Sequence, residues 1–291
     1  MNSVSQLFGT TFIHACTFKR AYAYEKFVPE HLFCYQISGQ TLIYHQKGEM
    51  VLEEGQILLA RRNQFAKSIK LPGETEKYRC ISIILSTERL RQYALNNNIV
   101  CDEKYEGKKN IFIEPNPFLK GFFDSILPYV DEWKNANQKL ELIKVNEAIE
   151  LLMLLHPDLK SFLFDFADPY KQDLEAFMLK NFHYNVPLEH FAKLSGRSLT
   201  SFKREFAEIF KSPPSIWLKN KRLSEAYYLI GHKNQKPQDI YLDLGFENLS
   251  HFYSCFKQKY GTTPAQMKIQ QQVFADGHAF GHDTASLPLL T

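Results

Sequence analysis

Two clusters of polar side chains in the C-terminal third of the chain have residue types and spacing suited to binding nucleic acid. Each lies on a predicted helix whose opposite face carries aromatic residues at four-residue intervals. An arginine can donate two hydrogen bonds to a guanine edge, and a lysine can do the same or hold a phosphate. A solvated helix face has the same composition and is the alternative explanation. The polar positions are Thr200, Ser201, Lys203, Arg204 and Lys211 in the first cluster and Ser250, His251, Tyr253, Ser254 and Lys257 in the second.

The two clusters belong to a repeat with an offset of fifty residues. The matched residues are Phe202, Phe206, Phe210 and Pro214 in the first copy and Phe252, Phe256, Tyr260 and Pro264 in the second. In each copy an apolar helical segment, a glycine turn and a second helix follow one another, as in a helix–turn–helix unit. Gly196 and Gly245 supply the turns, Ser198 caps the helix of the first cluster, and a helix over about residues 214–230 connects the copies. The repeat predicts two helices that face two grooves of DNA.

The spacing also predicts which side chains of these helices are buried. The second helix of each copy is called a recognition helix below. The predicted buried residues are Leu199, Phe202, Phe206 and Ile209 or Phe210 in the first recognition helix, Ile216, Trp217, Leu223, Ala226, Tyr227 and Ile230 in the connecting helix, and Leu249, Phe252 and Phe256 in the second recognition helix.

Basic charge is concentrated in the same segment. Residues 188–268 contain 13 Lys and Arg against 7 Asp and Glu, whereas the whole chain of 291 residues has a net charge of only +3. This distribution is typical of a DNA-binding domain joined to a domain with another task. The start of the chain has no pattern of a secretion signal, no apolar run reaches the roughly 18 residues that span a bilayer, and the five cysteines form no CxxC pair. The sequence therefore predicts a cytoplasmic protein without a membrane partner.

The N-terminal half is predicted to be rich in β-strands. Short apolar runs alternate with turn signals from residue 30 to residue 86, which indicates a β-sandwich or a small barrel. The runs 31–37 and 40–45 flank Ser38-Gly39, and this spacing predicts a two-residue hairpin. Helical patterns then cover residues 87–97, 117–135 and 139–155. For the last and most apolar of them, packing within its own domain and a homodimer interface both remain open.

No pattern of a catalytic, cofactor or metal site is found in the sequence. His14, His31 and His45 stand apart, no two cysteines have the spacing of a structural zinc site, and there is neither a phosphate-binding loop nor a nucleophile elbow. A site of two histidines and one carboxylate, assembled from three strands, is the alternative. The prediction is a protein that is not an enzyme and has no metal or cofactor. Two alternatives are an enzyme barrel fused to a DNA-binding module and a DNA-repair fusion with a four-cysteine zinc centre, whose cysteine spacing this chain lacks. The aromatic residues of this half predict core, although a barrel mouth lined by some of them would hold a small apolar ligand.

The C-terminal segment, about residues 171–268, resembles the DNA-binding domain of the AraC/XylS family of bacterial transcription regulators. The resemblance is carried by Asp239-Ile240, Gly245-Phe246, Ser250-His251-Phe252, Phe256-Lys257 and Tyr260-Gly261-Thr262-Thr263-Pro264, and before them by Ala192, Gly196, Ser198, Phe206 and Arg222-Leu223. The N-terminal half is similar to the cupin-like domain of the family's type III secretion activators, with a strand-rich run that ends at Leu59-Ala60-Arg61-Arg62. The chain departs from the pattern at Tyr241, where a small alanine is expected, and at Lys211, where a glycine is expected.

The resemblance implies an α+β chain with three parts. Residues 1–165 would form a cupin-like β-barrel domain with helices for sensing or dimerisation, residues 169–268 an all-α DNA-binding domain of two helix–turn–helix units joined by a long helix, and residues 269–291 a tail. It implies a sequence-specific regulator, an activator, that binds double-stranded DNA and works with RNA polymerase. Control would pass through the N-terminal domain, by a small-molecule effector or by a regulatory protein, and the same domain would form a homodimer.

The family's base-facing residues can be placed on this chain by position. They correspond to Thr200, Lys203 and Arg204 in the first unit and to Leu249, Ser250 and Ser254 in the second, with His251 and Tyr253 adjacent to them. The second set contains no arginine. We therefore expect the first unit to supply more of the base-specific binding energy.

Overall fold

The computed structural model describes residues 6–8, 11–23, 27–45, 48–73, 77–132, 138–167, 169 and 171–267. The chain divides into two compact units, Met1–Tyr170 and Lys171–Thr291. The first unit combines strands and helices, and the second is helical over its described part, so the α+β prediction is confirmed. The tail predicted at residues 269–291 lies outside the described residues.

The described strands of the N-terminal unit form two antiparallel sheets. The strands are β1 (Gln6–Phe8), β2 (Phe12–Thr17), β3 (Ala21–Ala23), β4 (His31–Ser38), β5 (Gln40–His45), β6 (Gly48–Leu52), β7 (Ile57–Ala60), β8 (Ala66–Leu71), β9 (Tyr78–Leu85) and β10 (Asn110–Ile113). Their order is β1-β2-β9-β4-β7-β10 in one sheet and β3-β8-β5-β6 in the other. Among the described residues the two sheets do not close into one barrel, but the strand-rich, cupin-like character is confirmed.

The hairpin predicted at Ser38-Gly39 is wrong, because β4 and β5 belong to different sheets. β4 pairs with β7 and β9, whereas β5 pairs with β6 and β8. The register of β4 against β9 shifts between Gln36 and Ser38, and Gly39 follows with a φ of +74°. A Cβ at Gly39 would collide with the carbonyl oxygen of Leu71. The irregularity and the glycine together turn the chain from one sheet into the other.

Helices of the N-terminal unit share the main hydrophobic core with the six-stranded sheet. Phe33 of β4 lies with its ring centroid 4.9 Å from that of Phe123 and 6.3 Å from that of Phe122, and all three side chains are buried. The helices are α1 (Thr87–Asn96), α2 (Pro117–Glu132), α3 (Gln138–Leu155) and α4 (Lys160–Phe164). The three predicted helices are thus confirmed, except that residues 133–137 lie outside the described part.

Asp165 holds the last segment of this unit in place. Its carboxylate accepts a hydrogen bond from the Arg61 guanidinium at 2.7 Å and from the backbone N–H groups of Tyr105 and Ala167 at 3.0 Å each. Burial alone would raise the pKa of Asp165, but these donors outweigh burial and hold the pKa below its ordinary value. The carboxylate therefore remains charged and joins three separate segments of the unit.

The C-terminal unit has the predicted arrangement of helices. They are α5 (Leu174–Asn181), α6 (Leu188–Leu194), α7 (Leu199–Phe210), α8 (Pro214–Gly231), α9 (Pro237–Ile240) and α10 (Leu249–Tyr260). The first helix–turn–helix unit consists of α6 and α7, the second consists of α9 and α10, and α8 connects them. The recognition helices are α7 and α10.

The aromatic stripes of both recognition helices are buried, as predicted. The fully buried residues are Phe202, Phe206, Phe252 and Phe256. Ile216 and Tyr227, which were expected in the core, are instead exposed by 48% and 38%. Ile209, one of the two alternatives for the last buried position of α7, is exposed by 42%. Phe210 occupies the space between α7 and α8, with its ring centroid 4.5 Å from that of Trp217. Of the two alternatives for the last buried position of α7, Phe210 is therefore the one that packs against α8.

Candidate nucleic-acid interface

The first recognition helix, α7, begins with the predicted glycine turn and serine cap. Gly196 has a φ of +71°, and the Ser198 hydroxyl accepts the backbone N–H of Ser201 at 3.2 Å. The helix ends at Lys211, whose φ of +50° lies in the left-handed region. Because that region costs a non-glycine residue roughly 1–2 kcal/mol, Lys211 performs the role of the expected glycine at some cost in stability.

Three predicted base-facing residues lie together on the exposed face of α7. Thr200, Lys203 and Arg204 are exposed, and Lys203 and Arg204 lie three and four positions after Thr200, so each of them neighbours Thr200 on the helix surface. Within the described part of the chain, neither Lys203 nor Arg204 forms a salt bridge or a side-chain hydrogen bond. Ser201 is half-buried, and its hydroxyl lies 3.1 Å from that of Ser198. Two unpaired cations are thus available to a polyanion.

The basic residues beside this face serve the fold. Arg197 donates to the Glu205 carboxylate at 3.1 Å and to the carbonyl oxygens of Gln172 and Ser195 at 3.0 and 2.6 Å. Lys171 donates to the other Glu205 oxygen at 3.0 Å. The hydrogen bonds from Lys171 and Arg197 lower the pKa of the Glu205 carboxyl. These ion pairs attach α7 to the segment before α5.

The second recognition helix, α10, presents a less basic face. Asn248 caps it by accepting the backbone N–H of His251 at 2.7 Å, and Gly261 ends it with a φ of +74°. Leu249 and Tyr253 are half-buried and pack against the core of this helix–turn–helix unit. The exposed candidates are Ser250, His251, Ser254 and Lys257. Leu249 and Tyr253 therefore have less surface to offer DNA than the other candidates.

Arg222 of α8 joins the two helix–turn–helix units, a role that the sequence patterns did not reveal. Its guanidinium donates to the carbonyl oxygens of Phe182 and Tyr184 at 2.8 Å each, and to that of Gly245 at 3.3 Å. The first two precede α6 and the third lies in the turn before α10. Burial lowers the pKa of Arg222 to about 10, so the group remains protonated at neutral pH. The available signal was its position four residues from both Leu218 and Ala226, on the buried face of α8.

Gly245 is required for this arrangement. Its φ is +85°, and a Cβ there would lie 2.5 Å from the carbonyl oxygen of His183 and 3.0 Å from the guanidinium carbon of Arg222. The turn glycine of the second unit thus leaves room for the arginine as well as allowing the turn.

The described residues also bear on the alternatives of a metal site and a membrane segment. No group of three or more His, Cys, Asp and Glu side chains in this part of the chain could hold a metal ion. His31 is fully buried and donates through Nε2 to the carbonyl oxygen of Phe162 at 3.0 Å, whereas the side chain of His45 lies outside the described ones. No described helix is both long and apolar enough to span a membrane.

Two helix–turn–helix units in one helical domain, each with an exposed polar recognition helix, define a DNA-binding protein with a second, α+β domain. Residues 191–270 match a family described as a helix-turn-helix domain, and residues 31–166 match one described as the ExsA N-terminal regulatory domain. The chain belongs to the AraC/XylS family of bacterial transcription regulators, and its N-terminal unit is of the ExsA type.

Relatives with established names extend over most of the chain. The HTH-type transcriptional regulator ExsA of Pseudomonas aeruginosa is 24% identical over 243 residues, which cover 80% of this chain and 84% of the relative. The virulence regulon transcriptional activator VirF of Yersinia enterocolitica is 28% identical over 249 residues, which cover 80% and 87%. Among solved structures, an apo form of ToxT from Vibrio cholerae has a TM-score of 0.45 and 12% identity, covering 91% of this chain and 99% of that one. The family matches, together with ExsA and VirF, show that the chain is a DNA-binding transcription regulator.

Proposed function

We propose that the chain activates transcription in the cytoplasm by placing α7 and α10 in successive major grooves of double-stranded DNA, from where it acts on RNA polymerase. The second helix of a helix–turn–helix unit lies in the major groove, and successive grooves on one face are roughly 34 Å apart. Two such units in one compact domain support binding to two adjacent grooves. The proposed base contacts come from Thr200, Lys203 and Arg204 in the first unit and Leu249, Ser250 and Ser254 in the second.

The single observation that carries this proposal is the pair of unpaired cations on α7. Lys203 and Arg204 are exposed, while the neighbouring Arg197 is held by Glu205. A side chain engaged by the fold cannot reorient toward a base, whereas an unpaired one can donate to a guanine edge. The corresponding face of α10 carries hydroxyl groups, an imidazole and one lysine. We infer that the first unit supplies most of the base-specific energy.

Genome-wide mapping of the sites bound by the full-length protein tests the function. We expect a shared motif of two short boxes about one helical turn apart, beside genes whose transcription falls when the regulator is deleted. A rise in transcription would show a repressor instead. Bound sites without any shared motif would contradict sequence-specific recognition.

We propose that a protein partner, and not a small molecule, controls the N-terminal unit. The cavity between its two sheets has a volume of about 100 Å³ and is lined mainly by apolar side chains such as Ile43, Leu52 and Leu58. Pockets for small ligands usually have volumes of about 300–1,000 Å³, so this cavity is too small. The larger cleft of this unit, about 890 Å³, is lined by basic side chains such as Arg61 and Lys104 and does not suit the small apolar ligand expected from the sequence. Native mass spectrometry of the protein purified from its own host would show a bound small molecule if this proposal is wrong.

We also propose that α3 supports a homodimer. Ile143 and Leu154 are exposed by 58% and 73%, and their eleven-residue separation corresponds to about three helical turns, so they lie on one side. Ile143→Asp should convert a dimer into a monomer in sedimentation experiments, because a charge there opposes burial against a second copy. Leu95→Asp in α1, where the side chain is 74% exposed, is the matched control. Equal effects of the two substitutions would argue against a role for α3.

A further inference from the structure

A cleft of about 420 Å³ opens within the C-terminal unit between its two helix–turn–helix units. One wall is the segment before and at the start of α6, a second is α8, and the third is the segment from Gly245 to His251 at the start of α10. Val186, Leu218 and Phe246 form its apolar part. The hydrogen bond from the Asn185 amide to the Glu247 carboxylate, at 2.9 Å, joins two of the walls.

The charged groups that line this cleft are mainly cationic. Lys219 is exposed and, within the described residues, has no salt bridge or side-chain hydrogen bond. A guanidinium has five N–H donors. Arg222 uses three of them on backbone carbonyls and bonds no carboxylate in the described part of the chain. Glu247, the carboxylate of the lining, is engaged by Asn185. The cleft therefore offers unused donors to an anion.

The position of the cleft indicates which anion it would meet. In a helix–turn–helix complex the first helix crosses the DNA backbone, and the start of the recognition helix reaches the bases. The cleft is bounded by the start of α6, a first helix, and by the start of α10, a recognition helix. When α7 and α10 occupy successive major grooves, we expect the backbone between those grooves to pass this boundary.

We propose that the cleft is a third DNA contact, in which Lys219 holds the phosphodiester backbone between the two major grooves and Arg222 supplies further donors from the floor of the cleft. His251 lines the cleft, with its Nε2 3.4 Å from the Cys255 sulfur. The contact rests on the proposed binding of DNA by both units. It reads no base, so it adds affinity equally for all sequences. It also requires both units to engage one duplex, because the cleft walls come from both. Arg222 has two roles in this cleft: its bonds to Phe182, Tyr184 and Gly245 hold two of the walls together, and its remaining N–H groups are available to the phosphate.

A double-mutant cycle with chemically neutralised DNA tests this contact. The probe is an operator duplex selected in vitro by the full-length protein from a random library. Single methylphosphonate substitutions are then placed along the backbone between its two boxes. At one or two of these phosphates, neutralisation should lower the affinity of the wild-type protein. The same neutralisation should not lower the affinity of the Lys219→Ala variant, which already lacks the contact. Lys219→Ala should also flatten the log–log salt dependence by about 0.9, the value for one phosphate, and Lys219→Arg should restore it.

The controls separate this inference from the proposed function. Lys180→Ala, at an exposed lysine of α5 outside the cleft lining, should leave the methylphosphonate profile unchanged. If the fold-losses of affinity from Lys219→Ala and from neutralisation multiply at every phosphate, the two changes are independent. The proposed cleft contact is then wrong, while the proposed DNA binding is unaffected. If the protein selects no operator from the library, the proposed function itself fails.

Discussion

At the scale of single residues, the basic side chains of the C-terminal unit divide into two groups that look alike in the sequence. Arg197 and Arg222 donate to a carboxylate or to backbone carbonyls and hold the fold together. Lys203, Arg204 and Lys219 are exposed and unpaired among the described residues. Helical spacing identified the exposed face of α7, but the partners of Arg222 come from segments about 23 and 40 residues away and could not be found from local patterns.

Replacing the unpaired cations should change sequence preference as well as affinity. Arg204→Ala or Lys203→Ala should cost about 1–3 kcal/mol in operator binding and relax the preference at one base position, because the lost donor pairs with a base edge. Binding of the full-length protein to a mapped operator and its single-base variants measures both effects. The matched control is Lys193→Ala, at an exposed lysine near the end of α6. Unchanged binding with both α7 variants would show that this helix is misplaced.

At the scale of elements, the features that were predicted correctly are local and the failures are not. The Ser198 cap of α7, the glycine turns and the connecting helix follow from residues within a few positions. The hairpin at Ser38-Gly39 failed because partners far along the chain decide which sheet a strand joins. The apolar segment before Gly245, predicted to be helical up to the turn, is helical only over Pro237–Ile240. Tyr241, where a small residue was expected, packs half-buried on the core.

The two left-handed glycines of the second unit should differ in their tolerance of a side chain. Gly261→Ala should destabilise the protein by roughly 1–2 kcal/mol, the cost of the left-handed backbone. No steric cost is added, because no atom of the described residues lies within 4 Å of the new methyl group. Gly245→Ala should cost a further ~1–3 kcal/mol, because its Cβ meets the His183 carbonyl and the Arg222 guanidinium. Chemical denaturation of the C-terminal unit, followed through Trp217, compares the two. Equal losses would contradict the close packing at Gly245.

At the scale of the whole molecule, the N-terminal unit should lose stability in acid. Burial lowers the pKa of His31 to about 3, from an ordinary value of 6.5, so the folded N-terminal unit excludes a proton that the unfolded chain binds. The stability from this group is complete above pH 6.5 and is lost as the pH falls toward 3, by up to about 1.4 kcal/mol per pH unit.

The His31→Gln variant isolates this effect. Its amide can still donate to the Phe162 carbonyl, but it does not titrate. Hydrogen exchange of β4, measured from pH 7 to pH 4, reports the free energy of unfolding of this unit. The difference in this free energy between the wild type and the variant should shrink as the pH falls. A constant difference across this range would contradict a neutral, buried His31.

The regulator as a whole combines a repeated fold with unequal chemistry. Both units build a recognition helix on two buried phenylalanines, yet α7 exposes Lys203 and Arg204 whereas α10 exposes one lysine, Lys257, beside hydroxyl groups and an imidazole. The fifty-residue repeat predicted the shared fold, and the lack of an arginine among the second set of base-facing positions predicted the inequality. The central claim is therefore that one chain reads two grooves of DNA with most of the discrimination in the groove of α7.

The most direct test is the affinity of the full-length protein for operator duplexes in which each base pair is replaced in turn. The box that contains the position relaxed by Arg204→Ala identifies the groove of α7. The account predicts losses of about 1–3 kcal/mol per base pair in that box and clearly smaller losses one helical turn away. Larger losses in the box of α10, or equal losses in both, would contradict it.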